Sequence, residues 1–207
     1  LLDSFLICSR CSSSLRARRG SWLVQVPWVY SGMWTLCSQT SPSLTAAYPS
    51  TSEARPCRRD LTSVPVSTSP RSFADGLKHL GAMKLAVATS FIAAHNDLVR
   101  AFLRAEGFDV LGIESLDTGM TSIEKAMLSP SQVFRHVRTV GRKYPNADAV
   151  LVTSSAWPVL SVIQPLEDDL GKPVVSSSLG QIWEPLRTLG IKCKIDGYGA
   201  LLRTLAG

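Results

Sequence analysis

The chain has 207 residues and a mass of 22.4 kDa, enough to bury a sizeable core in one large domain or two small ones. Apolar residues make up 45% and charged residues 18%, which excludes a mainly disordered chain; no run approaches the ~18 consecutive apolar residues of a transmembrane helix. The net charge of +6 sits mostly in residues 1–60, where seven Arg meet three acids; fifteen basic and thirteen acidic side chains nearly cancel over the rest, so nucleic-acid binding is disfavoured.

Residues 1–60 and 61–207 read as two different texts. The first has no Lys, twelve Ser and three Trp (Trp22, Trp28, Trp34), with no sustained period of 2 or 3.6. It is expected to be atypical, either truncated or read out of frame, with a genuine but unusual extension as the alternative. Little regular structure is expected over 1–45. The chain begins with Leu, and Leu1-Leu2-Asp3 lacks the basic start of a secretory leader. Four of the five cysteines (Cys8, Cys11, Cys37, Cys57) lie in this stretch, and Cys193 stands near the end. Cys8 and Cys11 have the spacing of half a zinc site, but no second pair or spaced His pair follows, so no metal is expected. An odd cysteine count without a leader fits a reducing cytoplasm.

From Leu61 the pattern is regular. Lys84–Ser90 is a short apolar run ending in hydroxyls and predicts a buried parallel strand. A helix is predicted over His95–Gly107, with Leu98 and Phe102 on one face, then a strand over Phe108–Ser115. Thr121-Ser-Ile-Glu124 has capping-box spacing and opens a short helix. Ser129-Pro-Ser-Gln132 opens another, with Val133, Val137 and Val140 on one face. A third strand follows at Ala147–Thr153, and a helix at Pro158–Leu170, bent at Pro165 and stopped by Gly171. A fourth strand spans Lys172–Ser177. Ser178 then caps a last helix carrying Ile182, Leu186 and Leu189 and closed by Gly190. Strand alternating with helix predicts an α/β, doubly wound parallel sheet covered on both faces.

Residues 64–84 and 173–193 align at a constant offset of 109: Val66, Ser67 and Ser69 match Val175, Ser176 and Ser178, and Leu77, Leu80 and Gly81 match Leu186, Leu189 and Gly190. Both read as strand, hydroxyl run and helix, the mark of a duplication, although Leu spacing alone recurs by chance. At the same offset, the counterpart of the Lys84 strand would lie roughly 25 residues upstream of Leu1, so the first half is expected to be truncated. The segment after Pro173 is expected to cross back onto 61–81.

The strands end in hydroxyls: Thr89-Ser90, Ser115, Thr153-Ser154-Ser155 and Ser176-Ser177-Ser178. Open α/β sheets bind ligands beyond these ends, where helix N-termini offer unpaired N–H groups to an anion. A small carboxylate or phosphate is therefore the expected ligand, with simple helix capping as the competing role for these side chains. Neither a dinucleotide fingerprint nor a P-loop, HExxH or GxSxG motif is present, and no cofactor is implied. His79, His95 and His136 fall on predicted helices and read as surface or interface residues.

Val64-Pro-Val-Ser-Thr-Ser69, Leu85-Ala-Val-Ala-Thr-Ser-Phe91 with Asn96, Ile163-Gln-Pro-Leu-Glu167, Leu170-Gly-Lys-Pro-Val-Val-Ser-Ser177, Trp183 and Gly197-Tyr-Gly199 together resemble the aspartate/glutamate racemase superfamily. The nearest branch is that of maleate cis-trans isomerase and arylmalonate decarboxylase, over about residues 61–205. The resemblance implies two pseudo-symmetric flavodoxin-like parallel-sheet halves around a cleft. Residues 84–172 would be the second half, and 61–83 plus 173–207 a remnant of the first. It further implies cofactor-independent isomerisation, racemisation or decarboxylation of a small carboxylic or dicarboxylic acid. One or two cysteines act as acid or base in that family, because thiols are readily ionised near helix N-termini.

This sequence places Ser154 at the second-half cysteine position, and Tyr48-Pro-Ser-Thr-Ser52 echoes the first with Ser50. Cys37 and Cys57 are the alternatives for the latter. A hydroxyl needs a neighbouring base to act, and none is close in sequence. Phe91 stands where the family has a Tyr. The resemblance assigns substrate binding to Thr89, Ser90, Phe91, Asn96, Ser155, Thr51, Ser52, Ser176 and Ser177. The partner is a small carboxylate, with homo-oligomerisation left open and neither nucleic acid nor membrane expected. The competing readings are a non-catalytic carboxylate-binding module and an inactive fragment.

Overall fold

The structure, a computed structural model, describes residues 67–116, 119–154 and 156–206. They belong to a unit running from Ser67 to Gly207. The expectations for residues 1–60 and for the strand of the first repeat copy at 64–66 lie outside the described residues.

Helix α1 (Ser69–His79) leads into strand β1 (Lys84–Thr89), helix α2 (Ala93–Ala105) and strand β2 (Asp109–Ser115). Helices α3 (Ser122–Ala126) and α4 (Pro130–Lys143) precede β3 (Ala149–Val152). Then come α5 (Ile163–Leu170), β4 (Val174–Ser176), α6 (Ser177–Thr188) and α7 (Ala200–Arg203). The four strands form one parallel sheet in the order β2-β1-β3-β4. The two inner strands explain the uninterrupted apolar runs: Leu85–Ala88 and Ala149–Val152 are buried throughout because helices cover both faces.

Local signals set most boundaries. Both anticipated capping boxes form: Thr121 with Glu124 opens α3, and Ser129 with Gln132 opens α4, whose Val133, Val137 and Val140 are buried. Gly171 stops α5 in the left-handed region at φ 65°, where a side chain would be strained.

Five readings are corrected. Helix α2 starts at Ala93, not His95, because the Ile92 carbonyl already accepts from His95 and Asn96 N–H. Residues 160–162 form a 3₁₀ turn, and the α-helix starts only at Ile163. Pro165 therefore falls in a first turn, where no N–H is needed, and does not bend an interior. The cap of α6 is Ser176, whose Oγ accepts from Leu179 N at 3.0 Å, not Ser178. Its buried face is Leu179, Gly180 and Trp183, while Leu189 is exposed.

Register separates the two faces of the sheet. Ala86 pairs with Gly112 and Val150, and Ala88 with Glu114 and Val152. Gly112 lies under the Tyr144 ring, Glu114 accepts from Tyr144 Oη, and Val150 abuts Gly141 of α4. This is the α4 face. On the opposite face Thr89 bonds Asn96 of α2, and Phe73 of α1 meets Phe102 of α2 edge-on at 5.9 Å.

The segment after Pro173 divides its allegiance. Strand β4 pairs with β3 and so extends the sheet of 84–172, whereas α6 packs on α1. A buried carboxylate fastens this region: Glu167 accepts from Val174 N (2.9 Å), Ala200 N (2.7 Å) and Arg203 Nη2 (3.4 Å). Desolvation raises its pKa, and the two backbone donors and Arg203 oppose that rise. Gly199, at φ 88°, brings the last helix close enough for the Ala200 bond. No helix among the described residues is long and apolar enough to cross a membrane.

The α1–α6 crossing is set by backbone approach. A Cβ on Gly180 would stand 2.7 Å from Phe73 N and 2.9 Å from its Cα. Gly180→Ala should gain ~1 kcal/mol of helix propensity and lose ~1–3 kcal/mol to overpacking against an unyielding main chain. We expect a net loss of stability, read as a lower denaturant midpoint; an unchanged or raised midpoint would mean the crossing can relax.

Candidate functional site

Strand order reverses between β1 and β3: the chain runs outward from β1 to β2, then returns to β3 on the other side. Helices α2 and α4 consequently leave on opposite faces, and a crevice opens beyond the carboxyl ends of β1 and β3. Ser90 follows β1 and Ser154 follows β3. Both are buried, and their hydroxyls meet at 2.9 Å. Two residues beyond Ala88 and Val152, they continue the α4 face.

The other anticipated residues of β1 and α2 act on one another. Thr89 Oγ1 donates to Asn96 Oδ1 at 2.8 Å and accepts from Phe91 N at 3.4 Å. Asn96 Nδ2 (3.2 Å) and Ser115 Oγ (2.6 Å) both donate to the Phe91 carbonyl. The Phe91 ring stacks on His95 at 4.9 Å. Thr89, Asn96 and Ser115 therefore hold the backbone on either side of Phe91, which shapes the turn next to Ser90. At β4, Ser176 Oγ caps α6, and Ser177 Oγ donates to the Val152 carbonyl at 3.4 Å. Thr89, Ser90, Ser154, Ser176 and Ser177 thus gather at one edge of the sheet. Ser50, Thr51, Ser52 and Ser155 lie outside the described residues, as do Cys37 and Cys57.

The edge contains no cation among these residues. What it offers an anion is hydroxyls and the partial positive charge where α2 and α6 begin. That suits a small carboxylate. No group of three metal-ligating side chains occurs among the described residues.

His136, which the sequence places as a surface or interface residue on a helix, is half-buried. It lies on the edge of α4's buried valine stripe, three residues after Val133 and four before Val140, and that spacing was the available signal. Its ring meets Trp157 edge-on at 5.6 Å. His136 Nε2, Trp157 Nε1 and Thr153 Oγ1 are the buried side-chain polar atoms without a partner among the described residues. All three belong to the loop leaving β3 or to the helix beside it.

The chain is similar to known proteins over this same region. The arylmalonate decarboxylase family model matches residues 48–202. An arylmalonate decarboxylase from Bordetella bronchiseptica is 32% identical over 145 residues, covering 69% of this chain and 60% of that one. A maleate isomerase from Alcaligenes faecalis is 28% identical over 140 residues, covering 67% and 54%. The solved structure of unliganded arylmalonate decarboxylase superposes with a TM-score of 0.68 at 30% identity, over 74% of this chain and 66% of that one. The chain thus spans just over half the length of the curated relatives it matches.

The buried hydroxyl pair makes its own forecast. Ser90→Ala or Ser154→Ala alone strands the other hydroxyl and should cost ~1–3 kcal/mol of unfolding free energy. The double substitution should cost less than the sum, with a coupling of ~0.5–1.5 kcal/mol in a double-mutant cycle. Strict additivity would show that the two side chains do not bond in solution.

Proposed function

Because the chain belongs to the arylmalonate decarboxylase family, we propose that it handles a small carboxylic or dicarboxylic acid at the β1–β3 crevice, by cofactor-independent proton transfer at the carbon beside the carboxylate. Racemisation and decarboxylation both deliver a proton to a carbon whose charge is delocalised into the neighbouring carboxylate, the charge arising from proton removal in the first and from loss of carbon dioxide in the second. Isomerisation of a double bond needs, besides, a group that adds across it and leaves again. The observation carrying this reading is the Ser90–Ser154 pair, buried at the strand-order reversal, with Ser154 in the segment that resembles the family's cysteine motif.

In this reading the hydroxyls of Ser90, Ser154 and Ser155, with N–H groups at the starts of α2 and α6, hold one carboxylate. Phe91 and Asn96 line the same end, and Thr89, Ser176 and Ser177 complete the strand-end set. Ser50, Thr51 and Ser52 would approach from the opposite half. The molecule would be built as two pseudo-symmetric halves, which the packing of α1 on α6 supports. The place of β4 in the sheet ties residues 174–176 to the half formed by 84–172. A reducing cytoplasm is the setting we assign.

A serine at position 154 makes the chemistry slow, because a hydroxyl ionises far less readily than a thiol near pH 8.5. That same feature favours the second reading, a module that binds a carboxylate without transforming it. The test is Ser154→Cys in the full chain. Hydrogen–deuterium exchange beside the carboxylate, followed by NMR across small dicarboxylates and arylmalonates, should accelerate by roughly 10²–10⁴-fold. Equal rates in variant and parent, with carboxylate binding retained, would replace the catalytic reading by the binding one.

A further inference from the structure

We propose that His136 is the proton acceptor of the strand-end site, holding an unprotonated Nε2 on the sheet face that carries the Ser90–Ser154 pair. The inference rests on the site reading given above and adds to it a residue that neither the sequence motifs nor the family resemblance selects.

Three observations place it. The first is the face. Register puts Ala88, Glu114 and Val152 on the α4 side, and Ser90 and Ser154 continue that side with their hydroxyls 2.9 Å apart. The second is the imidazole's anchoring. It bonds the backbone of Glu114, the residue in register with Ala88, and with Nε2 unpartnered among the described residues the donor to that carbonyl is Nδ1. A neutral ring anchored through Nδ1–H carries its lone pair on Nε2. The third is the loop. Trp157, three residues after Ser154, is buried against this ring, and its own Nε1 also has no partner among the described residues. A buried acceptor without a donor is costly, by about 1–3 kcal/mol, and is retained where it has something to accept.

The charged surroundings fit an imidazole that stays neutral until used. From β2 the Glu114 carboxylate acts on the ring, but it is engaged by Lys143 Nζ (2.7 Å) and Tyr144 Oη (2.6 Å) at the end of α4. From the β3 exit the ring meets the uncharged Trp157. Burial outweighs the pull of Glu114, so the group titrates below the ordinary histidine range.

The proton balance closes. At rest Nε2 bonds neither serine, so the transfer takes place only when bound substrate brings the hydroxyl pair and the imidazole into contact. As Ser154 Oγ takes the proton from substrate carbon, a hydroxyl proton leaves the Ser90–Ser154 pair for His136 Nε2. The products are an imidazolium and a carbanion delocalised into the carboxylate. Reversal of both transfers, with solvent exchange at the imidazole, returns a deuteron to carbon. No oxidant, metal or cofactor enters.

The experiment uses a thiol as the reporter. In the full chain carrying Ser154→Cys, the thiolate absorbance should titrate below ~8.5, by difference against the unsubstituted parent. Adding His136→Gln should raise that midpoint by about one unit, because thiol and imidazole no longer share a proton. His136→Asn serves as a second variant if Gln perturbs folding. ¹⁵N spectra of the unsubstituted protein should show the Nδ1–H tautomer at His136. A thiol titration indifferent to residue 136, or an Nε2–H tautomer, overturns the assignment whatever the exchange assay gives. If the coupling is found but no variant exchanges any substrate, His136 stands as the site's acceptor and the proposed catalytic function falls.

Discussion

A parallel sheet whose chain runs first to one side and then to the other must open where it changes direction. That constraint governs this molecule. With strand order β2-β1-β3-β4, the crossover after β1 covers one face and the crossovers after β2 and β3 cover the other. Among the described residues, the helices flanking β1 and β3 therefore part beyond the ends of those strands. Polar groups at those strand ends need one another or a ligand, and the buried hydroxyls of Ser90 and Ser154 find one another. The apolar strands below need no such partners. The hydroxyls of Thr89, Ser90, Ser154, Ser176 and Ser177 collect at the edge where these helices part.

The second half of the sheet is held by a different device. Glu167, at the end of α5, ties the first residue of β4 and the start of the last helix to one carboxylate. A charge taken out of water is expensive unless its lone pairs are matched, and here backbone N–H groups and Arg203 match them. Close backbone packing does comparable work at the α1–α6 crossing, where Gly180 admits the main chain of Phe73.

Legibility in the sequence followed the range of the interaction. The capping boxes at Thr121 and Ser129 involve residues three apart and could be read directly. The double-sided burial of Leu85–Ala88 and Ala149–Val152 was legible because it removes the alternation of a half-exposed strand. Within a run of three serines the sequence alone points to Ser178 as the cap of α6, because only the end of β4 decides that Ser176 faces the first turn. Its buried face was misjudged because leucine spacing pointed to Leu186 and Leu189, while contact with α1 selects Gly180 and Trp183. Ser90 and Ser154 were each named from strand-end position, but their mutual bond spans 64 residues and exists only through the strand order. His136 was read as one residue on a helix; its significance comes from Glu114 and Trp157, brought to it by two other elements.

The clamp on Phe91 has a thermodynamic consequence. Its N–H is held by Thr89, and its carbonyl by both Asn96 and Ser115. The turn beside the crevice has therefore surrendered its conformational freedom during folding. In the proposed function a ligand arriving there meets a wall that is already shaped, and little further entropy is lost in ordering it. Affinity at this edge is consequently governed by what the incoming molecule gives up: its own rotational freedom and its shell of water.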